Sequence, residues 1–218
     1  MASTNQYNED YFERGPVTGL SGYMNYSWMP ELTLRMAHYM ITQLPLEEKA
    51  TILDYGCAKG FLVKALRILG AEAYGCDISE YAISNVDSSV SRFCNLATDT
   101  GDISLFSRSY DWMIAKDVFE HIPEPELRIL LANAKDRVNR MFVVVPLGVD
   151  DTSDKFVVPE YDKDVTHVLA RSKQWWLEFF NSQGWQVNKF SYSFSGCKEN
   201  WTSAWPDGNG FFQLQSKY

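Results

Sequence analysis

The sequence is poor in basic residues and has no long hydrophobic segment. Lys and Arg total 20 against 28 Asp and Glu, which gives a formal net charge of −8. Proteins that bind DNA or RNA neutralise phosphates with Lys and Arg, so this balance argues against a nucleic-acid partner. No apolar run approaches the roughly 20 residues of a membrane-spanning helix, and the opening MASTNQYNED lacks the apolar core of a secretory signal. We therefore expect a cytoplasmic protein with no membrane partner.

Cysteine is also scarce. The chain has four cysteines, and no two of them form a C-x-x-C pair. In a cytoplasmic protein such thiols are typically reduced and buried. We therefore predict free thiols rather than disulfides or metal ligands at Cys57, Cys76, Cys94 and Cys197, and the sequence predicts no metal site.

The sequence does contain a regular alternation of strand and helix patterns. Its 218 residues, 45% of them hydrophobic, suit one domain with appended pieces. The alternation predicts an α/β fold with a doubly wound sheet covered by helices on both faces. Predicted strands are 51–54, 73–77, 90–95, 110–115, 141–145, 186–194 and 210–217. Predicted helices are 30–44, 60–69, 125–138, and two that begin after Ser79 and Ser172.

Three segments depart from this alternation. Residues 1–30 are aromatic and irregular, so we divide the chain into an N-terminal lid and helix over 1–45 and a main domain over 46–218. The connection 148–171 is longer than most loops, which favours a lid or binding loop. The last two strands are predicted to follow each other with no helix between them.

The most informative segment is 52–60, ILDYGCAKG, where an apolar strand ends in Asp54 and leads into small residues. A dinucleotide loop needs the spacing G-x-G-x-x-G/A, so that a pyrophosphate can lie on the helix N-terminus. Here the third slot is Phe61, which is too large. The small residues are instead Gly56, Ala58 and Gly60, which allow a ligand to approach the backbone closely. The alternative is an ordinary turn that uses glycine for its positive φ.

A second acid follows at the expected distance. Asp77 ends the second predicted strand, about 20 residues beyond the loop, where an acid accepts hydrogen bonds from a ribose diol. The apolar Ile78 beside it suits packing against adenine. Several adenosine-binding enzyme classes need such an acid, so Asp77 supports the fold more than the choice of cofactor.

These motifs, with DISEYAI over 77–83, resemble those of the class I S-adenosylmethionine-dependent methyltransferases. Residues 116–123, KDVFEHIP, more specifically resemble the D/E-V-L-E-H-I/V-P signature of the type 11 and type 23 methyltransferase groups. The resemblance implies a Rossmann-like sheet of seven strands whose last strand is antiparallel, with an N-terminal aromatic and helical extension. It also implies S-adenosylmethionine as the cofactor.

The resemblance further implies roles for individual residues. Asp54 would face the amino-acid portion of the cofactor, and Asn95 and Leu96 would contact adenine. Asn95 is an amide where the family usually has an acid, so Asp99 or Asp102 could serve instead. The implied cofactor-binding residues are Asp54, Gly56, Ala58, Gly60, Asp77, Ile78, Asn95, Leu96 and Lys116.

The candidate catalytic bases are two of the three histidines. Residues 164–167 read DVTH, and a histidine beside a carboxylate is typical of a general base because the acid orients the ring and supports its charge. His167 with Asp164 is our first choice. His121, which the resemblance places near the transferred methyl group, is the second. The alternative for 164–167 is a solvated acidic loop, and His38 is predicted to be structural.

The sequence therefore predicts an enzyme that moves a methyl group from S-adenosylmethionine to a small-molecule acceptor, a hydroxyl of a sugar, glycan precursor or secondary metabolite. Aromatic side chains in 7–28 and 201–212 suit stacking against such an acceptor. Two alternatives are a nicotinamide-dependent oxidoreductase, which Phe61 disfavours, and a non-catalytic S-adenosylmethionine-binding module. No feature of the sequence indicates an oligomeric state.

Overall fold

A computed structural model describes residues 6–217, whose strands form one seven-stranded sheet. The strands are β1 (Thr51–Tyr55), β2 (Glu72–Asp77), β3 (Cys94–Leu96), β4 (Tyr110–Lys116), β5 (Val138–Pro146), β6 (Trp185–Ser191) and β7 (Asn209–Ser216). Their order across the sheet is β3-β2-β1-β4-β5-β7-β6. The first five run parallel, and β7 pairs antiparallel with both β5 and β6. The predicted seven-stranded sheet with an antiparallel last strand is confirmed.

Helices cover both faces of this sheet. In the described part of the chain they are α1 (Glu9–Glu13), α2 (Gly15–Thr18), α3 (Pro30–Gln43), α4 (Phe61–Ile68), α5 (Glu80–Ser84), α6 (Glu124–Ala134), α7 (Lys173–Ser182) and α8 (Glu199–Ala204). The side chain of Ser79 accepts a hydrogen bond from the Ala82 amide in the first turn of α5, and that of Ser172 accepts one from the Trp175 amide in the first turn of α7, as N-caps do.

Each face of the sheet has its own apolar core. Helices α6 and α7 pack on one face, with Trp176 and Phe180 fully buried, and α3 and α4 pack on the other, with Met40 and Leu66 fully buried. Strand β5 lies between them and is buried at every position of 141–146. An unbroken apolar run of this kind is typical of a central parallel strand. The two cores hold the carboxyl ends of β1, β2 and β4 at one edge of the sheet.

Three details of the sequence prediction are wrong. Ser91–Phe93 forms a 3₁₀ turn, so the third strand is only Cys94–Leu96. Helix α6 ends at Ala134, and Val138 begins β5, because an apolar residue suits either a helix face or a strand start. Finally, α8 lies between the last two strands, where no helix was expected.

The N-terminal segment and the β5–α7 connection pack against each other. Short helices α1 and α2 replace the irregular structure expected there, and Asn8 caps α1 by accepting from the Tyr11 amide at 3.2 Å. The Val165 amide donates to the Leu20 carbonyl at 3.3 Å, which joins the two segments. The division at residue 45 stays a prediction.

Two predictions from composition concern the described residues as a whole. All four cysteines are free and buried, as expected. No helix within residues 6–217 is both long and apolar enough to cross a membrane.

Candidate active site

The loop between β1 and α4 is left-handed at each of its small residues. The angle φ is +79° at Gly56, +48° at Ala58 and +73° at Gly60. A Cβ on Gly56 would lie 2.4 Å from Cγ2 of Val118, so this position requires glycine for space as well as for conformation. The Gly56 amide also donates to the Cys76 carbonyl at 2.8 Å, which fixes the loop against β2. The missing side chain at Gly56 thus lets Val118 pack directly against the backbone of this loop.

Asp77, at the end of β2, is the acid beside this loop. Its carboxylate accepts hydrogen bonds from the amides of Ala58 and Ser79, both at 2.8 Å. Burial raises the pKa of Asp77, and these two donors act in the opposite direction. Each carboxylate oxygen has two lone pairs, so each can accept one more donor from a ligand.

A cavity opens at this edge of the sheet, with about 750 Å³ of empty space including its mouth. The loops that follow β1, β2 and β4 form one wall, and aromatic side chains of the N-terminal segment form the other. Lining residues include Tyr7, Tyr11, Phe12, Tyr23, Gly56, Ala58, Asp77, Ile78, Asp117, Val118 and His121.

Other predicted cofactor residues do not line this cavity. Asn95 and Leu96 are exposed on the edge strand β3, and Ala97 and Thr100 line the cavity in their place. Gly60 is buried at the start of α4. The predicted contacts of these residues with a cofactor stay predictions.

Asp54 is a buried carboxyl group near the end of β1, with 4% of its surface exposed. No residue in 6–217 donates a hydrogen bond to its carboxylate. Burial raises the pKa of Asp54 to about 7, although the Lys116 ammonium acts in the opposite direction. A buried carboxyl without a hydrogen-bond partner is costly to ionise, and a cationic group of a ligand would remove that cost.

Asp117 is held by two lysines at the end of β4. Nζ of Lys116 donates to its Oδ2 at 2.5 Å, and Lys198 forms an ion pair with its Oδ1. Burial alone would raise the pKa of Asp117, but the two ammonium groups hold it below its usual value. Nothing near Asp117 in the sequence indicates Lys198, which comes from the start of α8.

His121 is oriented by a chain of side chains that ends at Asp164. The Thr166 hydroxyl donates to Asp164 Oδ1 at 2.6 Å, and Thr166 Oγ1 lies 2.8 Å from His121 Nδ1. Since the hydroxyl proton is already given to Asp164, Thr166 accepts from His121, and Nδ1 carries the proton. His121 Nε2 is then a free acceptor. Burial, followed by the charge of His167, lowers the pKa of His121 to about 4.

His167 is held differently from the way the sequence suggested. Its Nδ1 lies 2.7 Å from the Tyr161 carbonyl, which can only accept, so Nδ1 is protonated and Nε2 is free. Within residues 6–217, Asp164 makes no hydrogen bond to the His167 ring, so the structure does not show the expected pair. The reason is that Asp164 turns back to the Thr166 amide and hydroxyl and to the Tyr11 hydroxyl. His167 does not line the cavity but lies against His121, with ring centroids 4.6 Å apart.

Glu120 lies beside both histidines. It is 1% exposed, and its Oε2 has no hydrogen-bond partner within residues 6–217. Burial raises the pKa of Glu120 well above its usual value, and the charge of Asp117 adds to the shift. The Glu120 carbonyl accepts from the amides of Val168 and Leu169 at 2.9 and 3.0 Å, which fixes the two histidine-bearing segments together.

The N-terminal segment is attached to the rest of the site by polar contacts. The Tyr11 hydroxyl donates to Asp164 Oδ2 at 3.0 Å, and the Ser79 hydroxyl donates to the Tyr7 carbonyl at 2.5 Å. Lys59, in the loop before α4, pairs with Glu13. These contacts close the aromatic wall over the cavity.

Comparison with known proteins gives the family and the fold. The chain matches, over residues 22–193, the family model described as a methyltransferase domain. A solved structure of the same fold is the complex between the Haloferax volcanii Trm112 methyltransferase activator and the putative methyltransferase. It is 16% identical, with a TM-score of 0.66, and the match covers 87% of this chain and 92% of that one.

Two further solved structures have the same fold. A SAM-dependent methyltransferase from Archaeoglobus fulgidus is 13% identical at a TM-score of 0.63, with 86% and 97% of the two chains covered. The magnesium protoporphyrin IX methyltransferase from Synechocystis PCC 6803, with bound SAM, is 14% identical at a TM-score of 0.54, with 85% and 78% covered. Such low identities establish the fold alone. No protein with a curated description is significantly similar in sequence.

Proposed function

The chain belongs to the methyltransferase-domain family and is an S-adenosylmethionine-dependent methyltransferase, and from this we propose that it methylates a hydroxyl group of a small ring-containing molecule. The acceptor class is a sugar, a glycan precursor or a secondary metabolite. One observation carries the proposal: His121, a half-buried imidazole whose pKa is lowered to about 4, lines a cavity together with aromatic side chains of the N-terminal segment.

The cofactor fits the residues at the sheet edge. Gly56 and Ala58 let its methionine end pass close to the backbone, and Asp77 accepts from its ribose hydroxyls. Asp54, which has no hydrogen-bond partner within residues 6–217 and lies behind the cavity lining, would pair with its amino group, while Ile78 would pack on adenine. Asn95, Leu96 and Lys116 complete the proposed set. When bound, S-adenosylmethionine supplies an electrophilic methyl group on a sulfonium.

The protein's remaining task is to position the acceptor and to take its proton. His121 lines the cavity, and in this proposal its Nε2 takes the hydroxyl proton as the oxygen attacks. Thr166 and Asp164 hold the ring and support the charge that it gains. His167 does not line the cavity and packs against His121, so we assign the general base to His121 rather than to His167.

The aromatic wall supports a ring-bearing acceptor. Tyr7, Tyr11, Phe12 and Tyr23 line the cavity with flat, apolar ring faces, and the three tyrosines each add a polar hydroxyl. Such surfaces stack on sugars and aromatic rings and keep water away from the sulfonium. One of the neighbours above is by name a methyltransferase of magnesium protoporphyrin IX, which is a small molecule.

The test is methyl transfer from labelled S-adenosylmethionine to a panel of sugars, nucleotide sugars and phenols, with amines and carboxylates as comparators. We expect label in a methyl ether. His121→Asn should keep cofactor affinity and lower turnover by about 10²–10⁴, as removal of a general base does. His38→Asn, which changes an exposed histidine on α3, should change neither. Label found only in amines or carboxylates would contradict the proposal.

A further inference from the structure

Three potential metal ligands converge behind the cavity wall. Glu120, His121 and His167 each offer one ligand atom, and these atoms all lie within 4.8 Å of one another. They come from two segments far apart in sequence, which the backbone bonds of Glu120 to Val168 and Leu169 hold in place. The sequence predicted no metal site because no local spacing joins these residues.

Glu120 provides the observation that points to a ligand. Its Oε2 is buried without a hydrogen-bond partner in the described chain, and the side chain is 1% exposed. A buried polar atom without a partner costs roughly 1–3 kcal/mol. The nearest fixed cations, Lys116 and Lys198, are both committed to Asp117. A cation bound next to Glu120 would satisfy this oxygen.

The two histidines are already in the tautomer that a metal requires. Both Nδ1 atoms are protonated, because His121 donates to Thr166 and His167 donates to the Tyr161 carbonyl. Within residues 6–217, neither Nε2 atom has a hydrogen-bond partner, so each Nε2 is the nitrogen left to bind a metal. Metal-bound histidines almost always donate their other ring N–H to a carbonyl, carboxylate or similar acceptor, which fixes the ring orientation. Asp164 behind Thr166 adds a carboxylate to this outer shell.

We propose that Glu120 and the Nε2 atoms of His121 and His167 bind a divalent cation of the zinc class. Two imidazoles and one carboxylate are a ligand set of catalytic zinc sites, which leave one coordination position open. Imidazole nitrogen favours zinc and its transition-metal neighbours over Mg²⁺ or Ca²⁺, which prefer oxygen. This proposal of metal binding depends only on the geometry of the three ligands and not on the proposed function.

The ion's effect on catalysis rests on the proposed function. His121 lines the cavity, so an ion on its Nε2 would stand beside the acceptor hydroxyl. The ion would lower the pKa of that hydroxyl, whose proton then leaves to solvent rather than to His121. The oxygen forms the new C–O bond as the methyl–sulfur bond breaks, and the sulfonium becomes a neutral thioether. The metal-free protein keeps His121 as its base.

Metal binding is tested without any acceptor. Chelator-treated protein is titrated with Zn²⁺ by calorimetry and with Co²⁺ by visible absorption, in the wild type, Glu120→Gln and His167→Asn. We expect one equivalent in the wild type, with affinity lower by about 100-fold or more in both variants. Thr166→Val should weaken binding by roughly 10–100-fold, the usual effect of an outer-shell change. His38→Asn, the matched surface control, should bind as the wild type does.

Binding of S-adenosylhomocysteine distinguishes a failure of the metal site from a failure of the proposed function. S-adenosylhomocysteine titrations show whether each variant is folded, and we expect equal affinity in all of them. Stoichiometric Zn²⁺ binding that survives Glu120→Gln, or none at all in the wild type, would overturn the metal site. A wild type that binds Zn²⁺ but no S-adenosylhomocysteine would instead overturn the proposed function and leave the metal site standing.

Discussion

The imidazole rings of His121 and His167 lie with their centroids 4.6 Å apart, and each ring has its Nδ1 engaged and its Nε2 free. His121 follows β4 and lines the cavity, whereas His167 comes from the connection between β5 and α7. The two histidines that the sequence offers as competing bases therefore belong to one cluster. Only His121 lies where an acceptor would meet it.

The glycine loop is tested by comparing two glycines with positive φ. At Gly70 φ is +91°, and no atom of residues 6–217 lies within 4 Å of an added Cβ. Replacement of Gly70 by Ala therefore causes conformational strain alone. We expect Gly70→Ala to lower the free energy of unfolding by roughly 1–2 kcal/mol. Gly56→Ala should cost more and weaken cofactor binding, because its Cβ also meets Val118. Denaturant unfolding measures both costs. Two outcomes would contradict this account: equal losses of unfolding free energy in Gly56→Ala and Gly70→Ala, or no recovery of stability in the double variant Gly56→Ala/Val118→Ala.

The pKa of Asp54 gives cofactor binding a pH dependence. Burial raises the pKa of Asp54 to about 7, and we expect the cofactor's amino group to favour the ionised form. Binding therefore releases a proton, and affinity should fall about tenfold per pH unit from roughly pH 7 to pH 5. Calorimetry in buffers of different ionisation enthalpy counts that proton.

Asp54→Asn removes the titrating carboxyl group. Cofactor affinity should then lose the part of its pH dependence that comes from this residue. Affinity for the cofactor should then be weak at every pH, with no proton released by this residue. Asp207→Asn, which alters an exposed acid, is the control and should keep the wild-type slope. An unchanged slope in Asp54→Asn would exclude an ionised Asp54 as the partner of the amino group.

The hydroxyl of Thr166 connects His121 to Asp164. Thr166→Val keeps the shape but leaves the partly buried His121 N–H without its acceptor, which should lower the free energy of unfolding by roughly 1–3 kcal/mol. Turnover should fall, by less than in His121→Asn, while cofactor affinity stays the same. Thr42→Val, which removes an exposed hydroxyl on α3, should be nearly neutral. Full turnover in Thr166→Val would show that the chain to Asp164 does not orient the base.

The sequence predicted the parts of the site that depend on local pattern. Strand, small residues, helix and acid follow one another along the chain, so the positions of Gly56, Ala58 and Asp77 could be expected from spacing alone. In the structure the Ala58 amide donates a hydrogen bond to the Asp77 carboxylate, a contact that the spacing did not predict. The neighbouring motif likewise placed His121 at the carboxyl end of β4.

Contacts between distant segments could not be predicted in this way. Asp164 and His167 are close in sequence, but a turn directs the acid to Thr166 and Tyr11 and the ring to the Tyr161 carbonyl. Lys198 reaches Asp117 only because α8 lies between β6 and β7. Such partners are set by packing of the whole chain, and only Thr166, inside the DVTH segment, had a local signal.

The central claim is that the β1–β2 edge of the sheet binds S-adenosylmethionine through Asp77. The most direct measurement is a calorimetric titration of wild type, Asp77→Asn and the control Asp207→Asn with S-adenosylhomocysteine and, separately, with NAD. We expect tight binding of S-adenosylhomocysteine and far weaker binding of NAD. Asp77→Asn should lose roughly 1–3 kcal/mol of affinity because the ribose hydroxyls lose a charged acceptor. Tight NAD binding without S-adenosylhomocysteine binding, or an unchanged affinity in Asp77→Asn, would contradict the claim.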